Sequence, residues 1–101
     1  MLRTYDAHAG TDREIAAAAA RIRGEPLMAE RFTREREAAD RLRAIMCPEY
    51  SGEIRRAGGE TGLPFVYMCR NRHGALVAMG EGDTEALAIC DAFLRFAIRT
   101  K

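Results

Sequence analysis

Apolar residues fill both sides of an extended run and then fall at helical spacing across the stretch from Leu63 to Ile98, and the rest of the chain is organised around it. Phe65, Tyr67 and Cys69 fall on one side of an extended segment, and Val66 and Met68 on the other. Both sides are apolar, which predicts a strand from Phe65 to about Arg70 that is covered on both faces. Asn71-Arg72-His73-Gly74 follows, and glycine in the last place fits a type I turn closed by a left-handed residue and a bulge. The return strand is expected over Ala75 to Met79, with Gly80-Glu81-Gly82 releasing it. Asp83 is the expected cap of the last helix, with Thr84 as the alternative. In that helix Ala86, Leu87, Ile89, Cys90, Phe93, Leu94, Phe96, Ala97 and Ile98 cover most of the circumference. Only Thr84, Asp91, Arg95 and Arg99 form a polar strip. A surface helix needs one apolar stripe. This one has more, which predicts a helix sandwiched between the sheet and the remaining helices or between the sheet and a second subunit. A homodimer is expected on that ground.

The first half reads as helical cover. Residues 1–10 are expected to be an extended lead-in. Thr11-Asp12-Arg13-Glu14 has the form of a capping box, and a helix is predicted from Asp12 to about Arg23. Ile15, Ala18, Ala19 and Ile22 lie on one side of it. Gly24 ends it, and Pro26 suits the first turn of a second helix running to about Met46. Met28, Phe32, Ala39, Leu42 and Met46 make one stripe there, with Ala38 and Ile45 beside it. Glu30–Arg34 and Glu37–Arg41 are expected as i,i+4 ion pairs. Pro48 stops the helix. Glu53-Ile54-Arg55-Arg56 is a candidate edge strand guarded by its charges, and Ala57–Gly62 a turn or loop. The fold class expected is α+β: two antiparallel N-terminal helices, a small antiparallel sheet of two or three strands, and a C-terminal helix packed on the sheet. It is read as a single domain over residues 1–101.

Composition changes this picture little. The chain of 101 residues is 48% apolar, which argues against disorder. No apolar run approaches the roughly 20 residues needed to span a bilayer. The N-terminus lacks a signal peptide's apolar core, so a cytoplasmic protein that does not bind membranes is expected. Sixteen basic and 15 acidic residues leave a net charge of +1, without the strongly basic face typical of non-specific nucleic-acid binding. All basic residues but Lys101 are arginine. The three cysteines, Cys47, Cys69 and Cys90, are odd in number and widely spaced, unlike a disulfide framework.

Candidate chemistry is sparse. Cys47, Cys69, His73 and Cys90 have the ligand types of a zinc site but not the paired spacing of one, and neither metal nor cofactor is expected. Cys69 with His73 as base is the best cysteine nucleophile available, but a cysteine on a covered strand is inert. His8 is another candidate base, in the N-terminal lead-in. Glu81, Asp83 and Glu85 read as turn and cap residues, and neither glycine-rich segment has phosphate-loop spacing. The best functional surface is basic. Arg55 and Arg56 precede the glycine loop, and Arg70, Arg72 and His73 project at the hairpin. Pairing of the Ile54 strand beside the hairpin is expected to gather these charges near one end of the sheet, as a partner-binding rim. The function expected is a small non-enzymatic protein-interaction domain, acting as a homodimer or as a subunit of a complex. A nucleic-acid-binding module using the hairpin arginines is the alternative. A small enzyme with a site at a subunit interface is a third.

Overall fold

The computed structural model describes residues 2–46, 48–56 and 62–100. A short 3₁₀ turn at Thr4–Asp6 precedes helix α1 (Ala9–Arg23) and helix α2 (Arg36–Met46). Strands β1 (Ser51–Arg56), β2 (Phe65–Arg70) and β3 (Leu76–Gly82) form one antiparallel sheet in the order β1-β2-β3. Helix α3 (Glu85–Thr100) closes the chain. The domain is α+β, with two N-terminal helices and a C-terminal helix packed on a three-stranded sheet.

Helix α3 is the centre of the molecule. Every residue from Ala86 to Phe93 is buried, over two full turns. The sheet packs on one side of α3, and α1 and α2 pack on the others. The wide apolar girth is therefore used within the chain. Phe93 is buried, Phe96 packs edge-on against Tyr50 at 6.5 Å, and Ile98 stays 70% exposed.

Two glycines allow the helix to sit so close. β3 does not end at Met79 but runs on to Gly82, which pairs with Phe65. A Cβ at Gly80 would stand 2.2 Å from Ala92 N and 2.4 Å from Ala88 O, and one at Gly82 would stand 2.6 Å from Ala88 N. These glycines admit the main chain of α3 onto the strand instead of releasing the strand. Thr84, not Asp83, caps the helix: its Oγ1 accepts the Leu87 N–H at 3.2 Å. Asp83 instead accepts from the Thr4 N–H (2.7 Å) and hydroxyl (3.1 Å), tying the N-terminal 3₁₀ turn to the end of the sheet.

The hairpin matches its sequence pattern. Gly74 has φ 80°, Gly74 N–H donates to Asn71 O, and the register slips after Cys69–Ala78 so that Arg70 pairs with Leu76. The turn's own bulge is Gly74, beside the Asn71–Ala75 pair, and the extra residue Val77 is a second bulge farther along β3.

The N-terminal half departs from expectation in two places. Helix α1 begins at Ala9, and His8 is its cap: Nδ1 accepts from the N–H groups of Gly10 (3.1 Å) and Thr11 (3.3 Å). The Thr11–Glu14 capping box does not form. The second helix begins at Arg36 rather than near Pro26. Asp12, 2% exposed, is the reason. Its carboxylate accepts from the Thr33 N–H (2.8 Å), the Thr33 hydroxyl (2.6 Å) and two nitrogens of Arg34 (3.2 and 3.1 Å). Those bonds hold the segment before α2 in a non-helical path that inserts Phe32 into the core. Met28, assigned to the same stripe, is 84% exposed. The ion pairs change accordingly: Arg34 goes to Asp12, and Glu30 takes Arg41 through two bonds of 3.0 and 2.7 Å.

Candidate functional site

The register decides what the basic residues do. Arg55 and Arg56 pair with Val66 and Phe65, at the start of β2, whereas Ser51 is level with Arg70. Four residues at about 3.3 Å each separate Arg55 from the level of Arg70 along the sheet, roughly 13 Å. Arg55 and Arg56 thus stand at the opposite end from the hairpin, and the expected cluster at one end does not form. Individually, Arg55 pairs with Glu53 at 2.9 Å, and Arg56 stacks over Phe65 at 5.7 Å. Arg70 donates to Gly74 O at 3.1 Å. Arg72 and His73 are exposed at the tip, where Asn71 Oδ1 accepts the His73 and Ala75 N–H groups and shapes the turn.

The candidate reactive groups are divided among structural tasks. Burial pushes the Cys90 thiol well above its ordinary range, with Asp12 and Asp91 adding to the shift, and its S–H donates to Phe32 O at 3.0 Å. Burial also raises Cys69, with Arg43 opposing. Neither is a ready thiolate. Cys47 lies outside the described residues. Among the described residues no three His, Cys, Asp or Glu side chains gather as a metal set. Glu85 takes Arg36 at 2.6 Å, which raises the arginine's already high pKa. A recess between Tyr50, Tyr67, Cys69, Val77, Phe93 and Phe96 holds about 30 Å³, room for a water and not for a substrate. An open groove of about 500 Å³ beside Phe65 carries Arg34 and Arg36, both already matched by Asp12 and Glu85.

What remains is the other side of the sheet. All three helices lie on the face of Tyr67, Cys69, Ala78, Gly80 and Gly82. The opposite face carries Val66, Met68, Met79 and Leu76 across β2 and β3, with Glu53, Arg55, Arg70 and Glu81 around them. Leu76 is 49% exposed and Met79 39%, while Val66 and Met68 are half-buried. The sequence pattern called for cover on both faces of β2, and among the described residues no helix supplies it on this one. The signal was present in the apolar second face of the strand; the direction from which the helices approach was not. No helix among the described residues is long and apolar enough to cross a membrane. No protein-family model matches the chain, and neither does any curated protein or solved structure.

Proposed function

We propose that this chain is a small non-enzymatic protein-interaction domain, acting as a homodimer or as a subunit of a complex. One observation carries the reading: the apolar strip of Val66, Met68, Leu76 and Met79 on the helix-free face of the sheet. A contiguous apolar strip rimmed by charge is the make-up of a protein interface, with a desolvated centre and a polar border. Arg55 and Arg70 border it at opposite ends, so these two of the basic residues belong to its rim, while Arg56 lies on the other face over Phe65 and Arg72 and His73 lie farther out at the turn. The division of the arginines between the two ends of the sheet leaves the nucleic-acid reading Arg70, Arg72 and His73 at the hairpin, with Arg70 donating to Gly74 O, and the apolar strip favours a protein partner.

The test is the native mass of the untagged protein, purified gently from cells with non-covalent ligands retained. A stoichiometric protein complex, with a second copy or with another chain, is the expected result. A complex seated on the strip should be lost in Met79→Arg while the far-ultraviolet circular dichroism is unchanged, whereas one joined at the β1 edge should survive it. A bare monomer overturns the reading, and so does added mass from nucleic acid or a small ligand alone.

A further inference from the structure

The two edges of the sheet are not alike. On β3 the outward groups of Glu81 are both taken: its N–H donates to Asp91 at 2.9 Å, and its C=O accepts from Leu2 N at 3.4 Å. Leu2 also bridges Gly82 in parallel. That edge is occupied at its Gly82 end. On β1 no strand or bridge lies beyond the sheet among the described residues. Ser51, Gly52, Glu53, Arg55 and Arg56 are exposed, and Ile54 is half-buried on the core side. An open edge of six residues is a template for another strand.

The order of residues on β1 selects what that strand is. An antiparallel copy of β1 centred on Ile54 sets Glu53 opposite the second copy's Arg55, and Arg55 opposite the second copy's Glu53. Two opposite-charge pairs form on one face, and Ile54 meets Ile54 on the other. Directly opposed unlike charges stabilise a strand pair, and like charges oppose it. Moving the centre by one residue either way sets Glu53 against Glu53 or Arg55 against Arg55. A slip of half that step sets Ile54 against a charged side chain and inverts the faces. Among these arrangements, the one centred on Ile54 satisfies charge and face together. Glu53 and Arg55 already lie side by side at 2.9 Å, with side chains 51% and 64% exposed, so both are available to an incoming strand.

We infer that the partner is a second copy of this chain, joined through β1 in the Ile54-centred antiparallel register, making one six-stranded sheet. The inference rests on the interaction-domain reading and names one partner, at the β1 edge and not on the apolar strip. The dimer leaves the two strips open on one shared face, separated by the charged residues of the paired β1 strands. Charges that guard β1 against other strands then act as the code for its own.

Sedimentation velocity of the full chain over a range of concentrations tests this, with native mass spectrometry for mixtures. The wild type is expected to dimerise. Glu53→Arg and Arg55→Glu each replace attraction with repulsion in both pairs, and each should weaken dimerisation by roughly tenfold or more. Mixing the two single variants should restore a dimer of mixed mass, and the double variant E53R/R55E should restore a homodimer. A wild type that stays monomeric up to about 1 mM overturns the inference. A dimer indifferent to both single changes overturns it too, by locating the contact elsewhere. Loss in the singles without rescue in the mixture and the double variant rejects the register. A chain monomeric when pure but bound to a different protein in cells sinks the self-pairing and leaves the interaction-domain reading standing.

Discussion

Replacing Gly80 with alanine probes the contact that places α3 on the sheet. The added Cβ would lie 2.2 Å from Ala92 N, 2.4 Å from Ala88 O and 2.7 Å from Ala92 Cα. Carbon contacts are comfortable from about 3.5 Å, so strand and helix must part by roughly 1 Å. The atoms in the way are main chain, and no rotamer change relieves them. Parting the two elements also loosens Leu87, Ile89 and Phe93, all buried along the same helix. Overpacking a core costs about 1–3 kcal/mol, and displacing a helix packed on several sides belongs at the upper end, about 3 kcal/mol. The lower chain entropy of alanine in the unfolded state offsets roughly 0.4–1 kcal/mol of this. A net loss of about 2–3 kcal/mol lowers the Tm of a domain this size by roughly 10–20 °C. Urea titration followed by far-ultraviolet circular dichroism measures it as a shift in midpoint at constant slope. Gly24→Ala is the control. Gly24 has φ 72°, and a methyl group there would meet nothing within 4 Å, so only the left-handed backbone is penalised, by about 1–2 kcal/mol. A Gly80→Ala protein no less stable than Gly24→Ala would refute the close-approach argument.

Three further outcomes are expected. Asp12→Ala should cost about 3–5 kcal/mol in the same titration, because it strands the buried Thr33 donors and leaves Arg34 without its carboxylate; a loss under about 1 kcal/mol would show that the segment before α2 is held by Phe32 alone. Thr84→Ala should cost about 1 kcal/mol and speed hydrogen exchange at Leu87, whereas Asp83→Ala should speed exchange at Thr4 and leave Leu87 protected; the reverse pattern would restore Asp83 as the cap. Cys69 and Cys90 should resist iodoacetamide in the native protein near pH 8 and react in urea, since burial raises both thiols. The sign of the linkage follows. Above the ordinary thiol value of 9.0 the unfolded chain loses protons that native Cys90 keeps, so stability falls as pH rises through that region, by up to about 1.4 kcal/mol per pH unit for this thiol. Cys90→Ala should remove that component of the slope.

Local pattern made some elements legible and long-range contacts hid others. β2 is found over Phe65–Arg70, where the alternation of Phe65, Tyr67 and Cys69 with Val66 and Met68 put it, and the Gly74 turn closes as its residues require. Both depend on neighbours a few positions apart. Phe32 and Ala39 keep a helical spacing, yet the chain between Pro26 and Arg36 is not a helix, because Thr33 finds buried acceptors on Asp12, 21 residues earlier. A spacing rule weighs helical bonds against water and cannot weigh them against a carboxylate delivered by another element. Gly80 and Gly82 carry the same ambiguity: a glycine that ends a strand and one that admits a helix are the same letter, and only the position of Ala88 and Ala92 separates them.

The basic residues follow a similar logic with a different consequence. Arg55, Arg56, Arg70, Arg72 and His73 read as one group while strand direction was open. Antiparallel pairing of β1 with β2 sends the first two to the far end. The same pairing gives the letters of β1 their meaning. Ser-Gly-Glu-Ile-Arg-Arg is short, exposed and charged, which is how an edge strand discourages neighbours. A pair of opposite charges placed symmetrically about one apolar residue excludes most neighbours and accepts its own inverted copy. That symmetry about Ile54 is a property of the sequence, but it becomes a prediction only once the Gly82 end of β3 is seen to be occupied by Leu2 and Asp91 and β1 is seen to have no strand beyond it among the described residues. If Glu53→Arg and Arg55→Glu each dissolve a dimer that their mixture rebuilds, the charge order on β1 is an address. If neither has any effect, it is only a guard, and β1 is not where two copies meet.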